Sequence, residues 1–414
     1  MKLPSFRVRL SSQVLLMALV GSAGFGCSSS DDDTAAQKAV VDNYAAMVAA
    51  NYADTLSTAK SLKKAIHSFV DAPSEDGLKE ARDAWLASRD PYGLSEAYRF
   101  SQGPIDNDDS DDDVPEGPEP LLNSWPVDES YIDYVRVVTK DEDEKEVVTY
   151  PDGGIINLPD EFPTIDADAL SGENTKHGED EITTGYHAIE FLLWGQDFNV
   201  DGPGDRSYTD YVVGEGGTHA NQDRRGQYLV TLADLMVDEL SVVNDAWLEG
   251  KANYRADFVA LPPASALGKI LLGMGSLSGA ELSGERMSVA LDEREQEAEH
   301  SCFSDNTLAD LRNNATSIQN VLIGHYGDIQ GPGIADLIEK KDAALAKALR
   351  DDIQRAIDDI DAVPPTPFDQ AIMADDDDPA RKHLLDAVDA LHRFTPNLKK
   401  AADTLGVSLN LQSK

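Results

Sequence analysis

Cysteine is nearly absent: Cys27 and Cys302 are the only two in 414 residues. A disulfide framework is therefore excluded as the basis of the fold, and stability must rest on a buried apolar core. Cations are also scarce, with 35 Lys and Arg against 76 Asp and Glu, a formal net charge of −41. Nucleic-acid phosphates demand a basic face, so this balance excludes a nucleic-acid binder. Trp85, Trp125, Trp194 and Trp247 form no stacking array, which agrees. Beyond the N-terminus no apolar run approaches the ~20 residues of a spanning helix. Catalytic signatures are missing as well: there is no HExxH, no G-x-S-x-G elbow and no C-x-x-C-H. His219, His325 and His392 stand isolated, so a haem site has no support.

What is present begins with a leader. Lys2, Arg7 and Arg9 precede an apolar centre at Val14–Val20, and small residues run up to Cys27. Residues 1–26 read as a secretory signal of the lipoprotein type, with Cys27 as the lipid attachment site and residues 27–38 as a flexible tether. Gly24 stands where a lipobox prefers Leu, so cleavage without lipid is the alternative. This predicts export to a bacterial cell envelope and membrane attachment through the lipid. Ser28 directly after the cysteine favours the outer membrane, facing the periplasm or the surface. Removal of the three leader cations takes the charge from −41 to −44. The acidic runs Asp31–Asp33, Asp108–Asp113 and Asp375–Asp378 read as solvated loops.

Apolar residues recur at helical spacing almost throughout, as in Val48, Tyr52, Leu56, Ala59, Leu62, Ile66 and Phe69. Helices are predicted over 40–69, 75–89, about 223–249, 277–300, 305–323, 335–346, 348–361 and 380–403. The runs YIDYVRVV (131–138) and KEVVTY (145–150) are the β-type exceptions. They fall in 101–180, where acids, prolines and glycines mark a long irregular insertion. A helix–Pro–helix pattern near the start returns near the end. The fold class is all-α, two packed helical-bundle halves with that insertion.

In TTGYHAIEFLLWGQD (183–197), His187 and Glu190 lie three apart in an apolar run. On a helix such residues share a face, so an imidazole and a carboxylate can aim at one point, with room left beside them at Gly185. That donor pair suits zinc, iron or manganese. The competing reading is a core histidine hydrogen-bonded to its neighbour. DFNVDGPGDRSY (197–208) places Asp197, Asn199 and Asp201 as in the first half of a calcium loop. Tyr208 stands where a bidentate Glu is needed, and Pro203 disturbs the continuation, so a plain Asx/Gly turn is preferred.

GYHAIEFLLWG carries a GxHxxE signature and resembles the imelysin, or M75 peptidase-like, family. AWLASRDPYGLSEAYRFSQGPID (84–106) is similar to that family's N-terminal block. Residues 282–324 resemble the subgroup typified by iron-regulated protein A. The resemblance implies an imelysin-like domain over 39–405, with halves at about 39–215 and 222–405. It also implies a GxHxxE site in the groove between them, an envelope location and a link to iron acquisition.

Glu96, Arg89, Glu285 and Arg286 are candidates for further ligands or for charges that orient them; ion pairs tying helices together are the alternative. His300 and Asp305 are further candidates, although EREQEAEH before them reads as a solvated helix face. Cys302 is a soft ligand or simple packing. No catalytic residue is assigned. The expected function is non-enzymatic binding of a transition metal, iron or zinc, alongside iron-uptake components. A metal-dependent peptidase and a non-catalytic peptide- or siderophore-binding module are the rivals.

Overall fold

The computed structural model describes residues 28–107, 116–140, 145–151, 153–364 and 367–411. The leader and the Cys27 lipid site lie outside the described residues. Helix α1 (Ser28–Asp71) buries Val41, Ala45, Val48, Tyr52, Leu56, Ala59, Leu62, Ile66 and Phe69, the stripe its periodicity predicts. Residues 28–38, read above as a tether, are helical and form its first turns. Their alanines, Ala35 and Ala36, favour helix.

Helix α2 (Glu75–Gly93) is capped by Ser74, which accepts from the Gly77 N–H at 3.1 Å. It runs past the predicted stop at Pro91. The Pro91 carbonyl accepts from the buried Asn51 side chain at 2.8 Å, and Gly93 lets Asn313 close in, since a Cβ there would meet it at 2.9 Å. Helix α3 (Gly185–Trp194) is buried at every residue. Helices α4 (Gln222–Trp247) and α5 (Pro263–Ser276) follow.

The predicted helix 277–300 is not one helix. Leu277–Ser288 is π-helical, Val289–Glu293 returns to α, Arg294 adopts a left-handed φ of 56°, and Gln296–Ala298 is a 3-10 turn. EREQEAEH is correspondingly not a solvated face at its end, because Glu299 and His300 are buried. Helices α6 (Thr307–Ile323), α7 (Ala343–Asp361), α8 (Phe368–Met373) and α9 (Pro379–Leu405) complete the chain. The predicted helix 335–346 ends early, as Ile334–Glu339, and α7 begins five residues before the predicted 348. Asp342 caps it by accepting from the Leu345 N–H at 3.0 Å.

Helix α1 packs against α2 and α4, and α7 packs against α9. Helix α4, expected in the half at 222–405, thus packs with the N-terminal helices, and the two helix–Pro–helix segments contribute the pairs α1–α2 and α7–α9. Helix α6 touches α2, α7 and the π-helix, and so lies between them. The insertion holds short helices at Glu119–Leu122, Glu129–Ile132, Gly154–Asn157 and Ala167–Glu173. It also holds an antiparallel hairpin in which Val137 faces Thr149. Asp133 fastens it to α4: Arg225 reaches its two oxygens at 2.6 and 2.8 Å, and Arg206 adds a bond at 2.8 Å.

Candidate functional site

The site is built at the start of α3. Gly185 has φ 88°, and a Cβ there would lie 2.6 Å from the Leu122 carbonyl of the insertion. Only glycine meets both demands at low cost, and the close approach seats the insertion over the first turn of α3. Two residues on, His187 is 1% exposed, and Glu190 is fully buried.

The histidine and the glutamate face each other. His187 Nδ1 lies 2.9 Å from Glu190 Oε2. The other oxygen, Oε1, accepts from the Ser304 backbone N–H at 2.9 Å and from its hydroxyl at 2.6 Å. Glu190 is thus occupied on both sides, and it fixes the imidazole. His187 Nε2 has no hydrogen-bond partner despite its burial.

A second histidine stands beside it. The rings of His187 and His300 are 4.6 Å apart and nearly perpendicular. His300 Nδ1 lies 2.8 Å from Asp310 Oδ2, so this imidazole too is held by a carboxylate. Asp310 also accepts from the Ser301 hydroxyl at 2.6 Å and pairs with Arg89 at 3.1 Å. Arg89 in turn donates to Asn123 of the insertion at 2.6 Å. His187, His300, Cys302, Trp125 and Glu297 border a cavity of about 20 Å³, room for one water-sized sphere.

Burial, then His300 and Arg89, holds the His187 imidazole well below its usual range. Burial and Arg286 bring His300 down to about 4, against the opposing pull of Asp310. Both rings are neutral at pH 7, the form that ligates a metal. Burial raises Glu190 to about 8, opposed by the Ser304 hydrogen bonds. For Asp310 burial is outweighed by Arg89 and His300, and its carboxyl stays ionised. Cys302 is pushed up by burial and then by Glu190, which keeps a thiol rather than a thiolate.

The other sequence candidates form a neighbouring network. Glu96 Oε2 accepts from Arg99 at 2.9 Å and from Arg286 at 3.0 Å, while Oε1 is buried without a partner. Burial would raise Glu96, but Arg99 and Arg286 win and lower it. Arg286 also pairs with Glu281 at 2.9 Å. Glu285 is half-buried on the π-helix next to Arg286. Asp305 joins neither network and turns instead toward Glu299 and Asp369. Asp197, Asn199 and Asp201 make a turn of their own: Asp197 accepts from the Asn199 N–H at 2.8 Å, and Asn199 from the Asp201 N–H at 3.3 Å. Sequence reasoning missed Asp310, Ser304, Asn123 and Glu299. Asp310 was within reach, since Thr307, Asp310, Asn314 and Ser317 trace a polar stripe along one face of α6.

The model of the imelysin family, described as a peptidase family M75, matches residues 48–396. The chain belongs to the imelysin family. Iron-regulated protein A of Synechococcus elongatus is 23% identical over 330 residues, which span 77% of this chain and 73% of that protein. The crystal structure of a protein described as an iron-regulated protein A precursor, from Parabacteroides distasonis, superposes with a TM-score of 0.65 at 20% identity. It covers 90% of this chain and 95% of that one. An imelysin-like protein from Psychrobacter arcticum gives 0.61 at 14% identity, covering 91% and 98%. At these identities the two structures establish the imelysin fold.

Proposed function

We propose that this imelysin-family chain is a lipid-anchored metal-binding protein of the bacterial envelope, serving iron or other transition-metal acquisition alongside uptake components. The observation that carries the reading is His187 Nε2, a buried ring nitrogen with no hydrogen-bond partner at the wall of an ion-sized cavity. Leaving such an atom unpaired costs about 1–3 kcal/mol, a cost that a bound ligand removes. The residues present suit a transition ion. Two neutral imidazoles stand side by side, the Nδ1 of His300 held by the Asp310 carboxylate and that of His187 by the carboxyl group of Glu190, contacts that orient both rings. A bound ion would supply Lewis acidity or redox chemistry there. The chain's own part is to hold Nε2 of His187 in place through Glu190 and Ser304, to keep both rings neutral, and to shut out bulk water with Trp125 and the insertion.

A relative named for iron regulation favours iron, and imidazole nitrogen accepts iron and zinc alike. The test is equilibrium dialysis with elemental analysis. Wild-type protein takes up iron or zinc, and His187→Ala loses at least about tenfold in affinity. Equal uptake by the two proteins contradicts the reading.

Two further readings each have one observation behind them. The peptidase description of the family favours a metallopeptidase, for which cleavage must be abolished by a chelator and by Glu190→Ala. A larger cleft of about 720 Å³ lies at the far end of α3, bordered by Trp194, Arg136, Phe198, Asp210 and His219. Its size favours a siderophore- or peptide-binding module, which would bind its ligand equally well in the His187→Ala variant.

A further inference from the structure

The buried carboxylates described so far are matched by guanidinium groups: Asp133 by Arg206 and Arg225, Asp310 by Arg89, and Glu96 by Arg99 and Arg286. One cluster departs from this pattern. Glu299, Asp305 and Asp369 each offer a carboxylate oxygen, and these oxygens lie within 4.8 Å of one another. Glu299 and Asp369 are both 0% exposed. The other charged groups that act on the cluster, Asp197, Asp201 and Glu190, are acids too. Both oxygens of Glu299, Oδ1 of Asp305 and Oδ2 of Asp369 lack a hydrogen-bond partner. The second oxygen of Asp369 accepts from the Gln370 N–H at 2.6 Å. Burial of an ionised carboxylate costs several kcal/mol unless a positive charge meets it.

We infer that Glu299, Asp305 and Asp369 form a binding site for a hard divalent cation, of which calcium fits best. The donors are oxygens alone, with no imidazole or thiolate, which selects against iron and zinc. A calcium ion bound at 2.3–2.6 Å spans about 4.6–5.2 Å between opposite oxygens, and the three oxygens fall inside that span. Magnesium prefers one or two carboxylates with several retained waters, whereas three protein carboxylates match calcium's larger shell. The site is distinct from the His187 centre and stands whether or not that centre holds a metal. Its effect on the fold is specific. Glu299 and Asp305 bracket the segment that carries His300, Cys302 and Ser304, and Asp369 sits on α8. A cation between them ties that segment to α8.

The test is calorimetric titration of calcium chloride, and separately magnesium chloride, into purified protein stripped with EGTA, together with thermal unfolding. Wild-type protein is expected to bind one calcium per chain and to unfold at a higher temperature with calcium than with EGTA. His187→Ala keeps that response. Glu299→Gln and Asp369→Asn weaken calcium binding at least about tenfold. In EGTA they unfold no lower than wild type, because each removes an uncompensated buried acid. Asp305→Asn, at the half-buried member, gives the same loss of binding should either buried variant fail to fold. A wild-type protein whose unfolding ignores calcium overturns the inference, as do identical titrations for wild type and Asp305→Asn. Either result would mean carboxyl groups that share protons.

Discussion

Ser304 holds Glu190 by two hydrogen bonds to one oxygen, a backbone N–H at 2.9 Å and a hydroxyl at 2.6 Å. Because the other oxygen faces His187 Nδ1, this turn residue sets the direction of an imidazole on α3. Ser304→Ala removes one of the two donors. Metal affinity should fall about tenfold. Stability should fall only by about 1 kcal/mol. Competition titration and urea unfolding measure the two effects. A loss of stability without a loss of affinity would mean that the serine supports packing alone.

Asp310 is the shared partner of Arg89, His300 and Ser301, all buried. Asp310→Ala leaves the buried Arg89 guanidinium without a carboxylate, holding only its bond to Asn123, and should cost about 3–5 kcal/mol in denaturant unfolding. Asp310→Asn keeps acceptor geometry without the charge and should fall between the two.

At Gly185 the backbone is left-handed, and a Cβ would press on the Leu122 carbonyl. Gly185→Ala should destabilise by about 2 kcal/mol or more. Metal affinity should fall with it, since the insertion can no longer seat over α3. A variant as stable as wild type would show that the insertion's contact there is slack.

Asp133 gives the clearest pH dependence. Burial would raise its carboxyl, but Arg206 and Arg225 outweigh that and bring it down to about 2. A carboxyl lowered in the folded state contributes its stability above the unfolded value of about 3.9 and loses it as pH falls through the folded one. The stability gap between wild type and Asp133→Asn should therefore be constant from pH 7 to about 4 and close between pH 4 and pH 2. Its charge-linked part is on the order of 2 kcal/mol. A gap unchanged at pH 2 would mean the pair contributes through shape rather than charge.

The helices were legible where one face is apolar at 3.6-residue spacing, as in α1, α4, α6 and α9. The break-up of 277–300 was not, because a π-turn shifts hydrogen bonding without disturbing the local pattern of apolar and polar residues. His187 and Glu190 were legible as two polar groups in an apolar run, and the structure puts them in contact. That the second oxygen of Glu190 belongs to Ser304 depends on a loop over a hundred residues away, which periodicity cannot place. Arg89, Glu96 and Arg286 were legible as charges among apolar neighbours. Asp310 left a trace in the polar stripe of α6, but a polar stripe looks solvent-facing until its depth is known. Glu299 was hidden by the charged run in which it sits.

Crystals grown from metal-loaded protein and measured at the iron and zinc absorption edges show whether His187 Nε2 meets a metal ion. An anomalous peak is expected at about 2.0–2.2 Å from His187 Nε2, absent in His187→Ala crystals. A fully loaded protein with its anomalous peaks elsewhere, and His187 touching only protein atoms, would contradict it.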